Sequence, residues 1–290
     1  MIVTIRDNIL KMTGFDNLAE GLRYYGLAGI ELAVGRDLIT HALEPSAGTT
    51  LDLSRDDDVR RLGEQMEATG FCVSAFLLGN DFNAADRDAE LDWIIRVVKV
   101  AGALGVPTVR VDAIMSGERD LPKEEREEIF ASGVRAVLDA THEETVDLGI
   151  ENHGFQGNDP AFLEGLLRLV RSQRLGVTMD TGNFYWAGHP ISKVYDIMRH
   201  LAPAVKHTHV KNIRYPEGMR DVQRELGYEY DKYVCPIPEG DIDHAKVVGY
   251  LKRAGYDRDL CIEDESLGKY DEGQRRANIR AAAEYLRQLA

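Results

Sequence analysis

The sequence predicts an α/β protein, a single closed (β/α)8 barrel over residues 1–290. Three observations carry that expectation. Eight short β-rich apolar runs alternate with amphipathic segments from one end to the other. Shared among eight units, the 290 residues allow about 36 each, which suits βα units and leaves no material for a second domain. No linker or low-complexity tract interrupts the alternation, and 44% apolar residues supply a core that a disordered chain lacks.

The strand runs are rich in β-branched and aliphatic residues. In order they are IVTI (2–5), GIELAV (29–34), FCVSAFLL (71–78) and PTVRVD (107–112). DLGIE (147–151), LGVTMD (175–180), VKHTHV (205–210) and LCIED (260–264) follow. Between them, residues 54–69 read as a helix with Ser54 as its N-cap, acids in the first turn and Gly70 as its stop. Residues 86–104 place Leu91, Ile94, Ile95, Val98 and Ala101 at helical spacing. A helix over 122–146 begins at Pro122, and one over 159–172 begins at Asp159-Pro160, a capping residue before a first-turn proline. Helices over 190–201, 241–254 and 271–289 complete the set. Residues 212–240 read as a long irregular insertion after the seventh strand, on the mouth side of the barrel. They fit a lid, a solvated insertion or a subunit contact.

Charge and cysteine content narrow the function. The formal net charge of −14 disfavours general nucleic-acid binding. Three cysteines, Cys72, Cys235 and Cys261, with no CxxC spacing exclude a disulfide framework or a Cys-rich zinc site and suit a reducing compartment. The N-terminus lacks the pattern of a signal peptide, and no run is long enough to span a membrane. A cytoplasmic protein is expected.

Strand C-terminal ends converge on one mouth of such a barrel. The fifth run ends Glu151-Asn152-His153 and the sixth Asp180-Thr181-Gly182-Asn183. The seventh carries His207, His209 and Lys211, and the eighth ends Glu263-Asp264-Glu265. Side chains two apart share a face, so Glu151 and His153 point together, as do His207, His209 and Lys211, and Cys261, Glu263 and Glu265. Ile150, Val210 and Ile262, of opposite parity, are expected to pack outward. Several acids buried in one mouth cost several kcal/mol each unless offset, and a divalent cation is the natural offset. Three carboxylates with one imidazole suit Mn²⁺, Mg²⁺, Co²⁺ or Zn²⁺.

Other inward polar residues are Arg6, Glu31, Arg110 and Asp112, the last two forming a candidate ion pair. Lys211 and Arg214 are candidates for binding a substrate oxyanion or carboxylate, or are solvated loop charges. His153 and Asn183 are candidates for substrate contact or for support of a ligand. His207 reads as an interior hydrogen-bonded residue or as support one layer below the mouth. Phe155, Phe184, Tyr185 and Trp186 offer apolar walls suited to a sugar, or pack loops.

With these pieces placed, the chain resembles the xylose-isomerase-like TIM-barrel superfamily, in its sugar phosphate isomerase/epimerase branch with ketose 3-epimerases and inositol-catabolism enzymes. The resemblance runs through GIEL (29–32), GIENHG (149–154), MDTGN (179–183), HTHVKN (207–212), PEGDID (238–243) and GYDRDLCIEDE (255–265), in order. It implies one divalent metal held by Glu151, Asp180, His209 and Glu263. It implies proton transfer alpha to a carbonyl through an enediolate, with Glu151 and Glu263 as the proton-transferring pair. His153, Lys211, Arg214, Asn183, Arg110 and Trp186 are then the candidate substrate contacts, for a small carbohydrate. The family's oligomers leave a homo-oligomer open. Asn212 stands where the family more often has Asp.

A metal-dependent lyase or dehydratase on a keto-sugar or keto-glycoside uses the same site and is the alternative. A repair-type nuclease of this superfamily needs further histidines after strands two, three and six. Here strand three ends Leu78-Gly79-Asn80-Asp81, and His41 and His189 lie far into their loops. A barrel that binds without catalysis is a third reading, opposed by the intact ligand set.

Overall fold

A computed structural model describes residues 1–45 and 48–290. Its barrel strands are β1 (Ile2–Arg6), β2 (Gly29–Ala33), β3 (Cys72–Leu77) and β4 (Thr108–Val111), followed by β5 (Asp147–Glu151), β6 (Leu175–Asp180), β7 (Val205–Val210) and β8 (Asp259–Ile262). Every neighbouring pair is parallel, and β1 pairs with both β2 and β8, which closes the ring. All eight coincide with the sequence runs. The outward parity also holds, with Ile150, Val210 and Ile262 in the apolar layer between strands and helices.

Seven helices match the amphipathic segments: Asp56–Thr69, Arg87–Leu104, Lys123–Ala140, Pro160–Val170, Ile191–Leu201, His244–Arg253 and Glu272–Leu289. Asp159 caps its helix as read, accepting from the Ala161 amide at 3.0 Å ahead of Pro160. Ser54 does not cap the helix Asp56–Thr69. Asp52 captures its amide and hydroxyl at 2.9 and 2.6 Å, so the helix starts at Asp56 with Arg55 in the cap position. The helix expected over 122–146 stops at Ala140. The Arg174 guanidinium pins the following turn through the carbonyls of Thr141, at 2.7 Å, and Val146, at 2.8 Å.

Two further helices, Asp7–Lys11 and Leu18–Tyr25, fill the first crossover, and a small hairpin, Ile39–His41 with Thr50–Asp52, follows β2. The insertion is folded rather than irregular. Asn212–Ile213 pairs antiparallel with Val234–Cys235, and a short helix spans Tyr230–Tyr233. Arg224 ties it down. Its buried guanidinium donates to the carbonyls of Tyr185 and His189, both at 3.0 Å, and stacks on the rings of Tyr185 and Tyr215.

Asn212 accounts for the departure from Asp at that position. Its amide donates to the carbonyls of Ile237 and Ile242 while its oxygen accepts from the amides of Ile213 and Ile242. A carboxylate has no N–H for the first two bonds.

Candidate metal centre

Four strand ends bring Glu151, Asp180, His209 and Glu263 together. One ligand atom of each lies within 4.8 Å of the others, and all four residues are buried. The backbone fixes them first. Asn152 straddles β5 and β6, accepting from the Asp180 amide at 2.7 Å and donating to its carbonyl at 3.0 Å. Asp180 Oδ1 accepts from the amides of Gly182 and Asn183 at 2.7 and 2.8 Å at the start of the turn Asn183–Trp186, which leaves Oδ2 facing inward. The β6–β7 ladder shifts register between Val177 and Thr178, just before Asp180.

Each candidate proton-transferring glutamate is backed by an arginine. Arg110 pairs with Glu151 and, at 3.2 Å, with Asp112, which is the anticipated internal pair with an extra partner. Arg6 pairs with Glu263. Asn183 donates to Glu151 Oε1 at 3.2 Å. Burial disfavours the charge on Glu151, yet Arg110 and His209 outweigh it and hold the carboxyl well below its usual range. Burial dominates at Asp180 and pushes it up, with Lys211 offsetting only part. Lys211 Nζ lies 2.9 Å from Asp180 Oδ2, 3.0 Å from Glu265 Oε1 and 3.5 Å from Glu263 Oε2. Burial opposes its charge, but these acids keep it protonated.

The orientation of His209 comes from a residue whose role the sequence did not disclose. Glu31 on β2 lies 2.9 and 3.0 Å from His209 Nε2 and 3.0 Å from His207 Nε2, and His207 Nδ1 reaches Asp259 Oδ1 at 3.0 Å. A hydrogen-bonded column thus runs down the barrel axis. Burial opposes ionisation of Glu31, but the two imidazoles hold its carboxyl far below the usual range. The column anchors His209 through Nε2 and turns Nδ1 toward Glu151 and Glu263, at 3.2 and 3.5 Å.

These residues fit a divalent ion on one observation. Asp180 Oδ2, His209 Nδ1 and Glu263 Oε2 are buried without a well-formed hydrogen bond; Lys211 Nζ lies 2.9 and 3.5 Å from the two carboxylate oxygens and His209 Nδ1 lies 3.2 Å from Glu151. They belong to three of the four clustered side chains and converge on one point. A neighbouring group, Glu31, His207, His209 and Cys261, also has metal-ligand composition. Its carboxylate and imidazoles are instead bonded to one another and to Asp259, and burial pushes the Cys261 thiol up to about 12. That group is closed by its own hydrogen bonds.

The remaining sequence candidates are dispersed. His153 stands at the mouth, its Nδ1 3.1 Å from Asp112. Trp186 packs toward Gly227 of the insertion, whose amide donates to the Trp186 carbonyl at 2.9 Å. Arg214 is exposed on the insertion hairpin, and its side chain makes no hydrogen bond or ion pair among the described residues. Sequence reasoning put Glu265 on the inward face but gave it no role, and it gave none to Asn152 or Tyr230. The Tyr230 hydroxyl donates to Glu265, which also meets Lys211. Parity with Glu263 was the signal available for Glu265.

A family model described as xylose isomerase-like TIM barrel matches residues 20–289. An uncharacterised protein of Methanocaldococcus jannaschii, MJ1311, is 24% identical over 140 residues, which is 47% of this chain and 43% of that relative's length. Among solved structures, the IolI protein with a bound zinc atom superposes with a TM-score of 0.71 at 15% identity, covering 97% of this chain and 96% of that one. A D-tagatose 3-epimerase-like protein gives 0.66 at 17%, covering 100% and 98%. Mannonate dehydratase from Streptococcus suis serotype 2 gives 0.68 at 15%, covering 100% and 93%.

Proposed function

The chain belongs to the xylose isomerase-like TIM-barrel family, and from that premise we propose that it is a divalent-metal-dependent sugar isomerase or epimerase. The observation that carries the reading is the convergence of three buried atoms that lack a well-formed hydrogen bond, Asp180 Oδ2, His209 Nδ1 and Glu263 Oε2, beside Glu151. Glu151, Asp180, His209 and Glu263 would hold the ion, which when bound would supply Lewis-acid polarisation of a substrate carbonyl. Manganese, magnesium, cobalt and zinc all suit this oxygen-rich set with one nitrogen.

The chain's own residues supply the rest. Glu151, held as a carboxylate by Arg110, takes the proton from the carbon alpha to the carbonyl. For an isomerisation Glu151 returns that proton to the neighbouring carbon; for an epimerisation Glu263 delivers one from the opposite face, entering the step protonated with its ion pair to Arg6 given up. Lys211, kept protonated, and His153 at the rim face the negative charge that develops on the substrate oxygens. The substrate is a small carbohydrate carrying a keto group.

The test is to incubate the protein, loaded with each of the four metals, with ketoses and keto-inositols in deuterated water. Deuterium at the carbon next to the carbonyl, in a product isomeric with the substrate, is the expected result. Glu151→Gln should lower that exchange by about 10²–10⁴-fold with the fold intact. Equal exchange by the variant, or no metal retained at stoichiometry by the native protein, would sink the reading.

One observation favours a second reading, a lyase on a keto-sugar or keto-glycoside. The insertion brings the Tyr230 hydroxyl onto Glu265 beside Lys211, and burial with the Glu265 charge keeps that phenol protonated. The Tyr230–Glu265 hydrogen bond holds one shared proton beside the place where a β-substituent would depart. A product lighter than the substrate by water or an aglycone supports this reading, and an isomeric product defeats it.

A further inference from the structure

We infer that the protein carries a second small-molecule site, separate from the metal centre, that takes an aromatic carboxylate or aryl phosphate. The site is a cavity of about 390 Å³ walled by the loops after β4, β5 and β6, the start of the helix Lys123–Ala140 and the insertion. Arg119, Arg126, Phe155, Asn158, His189 and Leu226 carry its chemistry, and none of the four clustered ligand residues lines it.

Arg126 is the anomaly that points to an anion. It is one of three buried arginines, with 8% exposure. Arg110 is neutralised by Glu151 and Asp112, and Arg224, whose Nε is also unpartnered, is met at both terminal nitrogens by backbone carbonyls. Arg126 has neither kind of partner. It makes one long bond, Nη1 to Gln156 Oε1 at 3.4 Å, its Nε is unpartnered, and no carboxylate lies within 4.0 Å among the described residues. In a chain of net charge −14, an uncompensated buried guanidinium is costly unless something else meets it. Arg119 repeats the pattern at the surface, again without an ion pair among the described residues.

The flat apolar body of the ligand follows from the walls. Arg119 and Arg126 both stand over the Phe155 ring, at 4.8 and 5.5 Å. Phe155 and Leu226 are two of the few large apolar side chains left exposed, at 40% and 37%, and both flank this cavity. Asn158, 3% exposed, donates to the Gly154 carbonyl at 2.8 Å and leaves Oδ1 unpartnered. Asp159, the acid on the lining, is turned to its own helix and accepts from the Ala161 amide. The combination is two guanidiniums around an aromatic face beside an aliphatic wall, which matches an anionic group on a planar ring.

Calorimetry with benzoate, phenyl phosphate, inorganic phosphate and benzyl alcohol tests this. Both aryl anions should bind at about millimolar Kd or tighter, with inorganic phosphate and benzyl alcohol at least about tenfold weaker. Arg126→Met and Arg119→Met should each weaken benzoate about tenfold. The thermal midpoint of each variant reports whether it folds, and Arg119→Met, at an exposed position, keeps the test available if Arg126→Met does not. Binding should persist in Glu151→Gln and after metal chelation, so this inference and the proposed function fail separately. Absence of binding by either aryl anion overturns the inference. So does binding that Arg119→Met leaves unchanged, or binding lost on chelation, which would place the anion in the metal centre.

Discussion

Glu31 touches no substrate-facing carboxylate, yet it decides which nitrogen of His209 faces the other ligands. Glu31→Gln keeps the size of the side chain but removes the charge that two imidazoles share. Metal affinity should fall by about 10–100-fold, measured by competition with a chelating dye, while the circular dichroism spectrum is retained. Lys211 should act in the opposite sense. Its ammonium lies among Asp180, Glu263 and Glu265 and competes for their charge. Lys211→Met should therefore bind the ion more tightly, by about tenfold, yet turn over more slowly, because the oxyanion loses a cation. Weaker binding in this variant would contradict the competition. At this scale, strand ends and parity brought Glu151, Asp180, His207, His209 and Glu263 to one mouth, and the family resemblance singled out His209 over His207 as the fourth ligand. Glu31 was visible only as an inward acid. Its partners His207 and His209 stand 176 and 178 positions away, and no local spacing encodes that meeting.

Elements with their own local code were read well, and those that depend on a distant partner were not. Asp159-Pro160 announces a helix start, and Asp159→Ala should cost about 1 kcal/mol, seen as a fall of about 2–4 °C in the thermal midpoint. Ser54 carried the same signal falsely, since Asp52 two residues earlier is the better acceptor for its amide and hydroxyl. The two-residue strands of the insertion have no period to detect. Their pairing rests on Arg224 and Asn212 reaching across the chain. The helix His244–Arg253 adds a pH dependence. Burial pushes the His244 imidazole down to about 4 from an ordinary 6.5. Below about pH 6.5 the unfolded chain takes up a proton that the folded chain refuses until about pH 4. The stability from the neutral ring is whole above pH 6.5 and is lost as the pH falls toward 4, by on the order of 3 kcal/mol. Urea titrations at pH 7 and pH 4.5 should show that loss, and His244→Gln should shrink it.

For the whole molecule, eight runs at barrel spacing made the architecture legible, because each strand has to hide one face from water whatever the loops do. The described residues contain no helix long and apolar enough to cross a membrane. The interior column also bears on how the barrel assembles. Its members enter from β2, β7 and β8, so the charges of Glu31, His207 and Asp259 find one another only when both ends of the chain are in the ring. A half-barrel holding β1 to β4 would leave Glu31 with Arg6, 3.5 Å away, but without either imidazole, and one holding β5 to β8 would lack both Glu31 and Arg6. Neither half is electrically complete. The column is complete only in the closed ring, so each half of the barrel leans on the other for the burial of its charges.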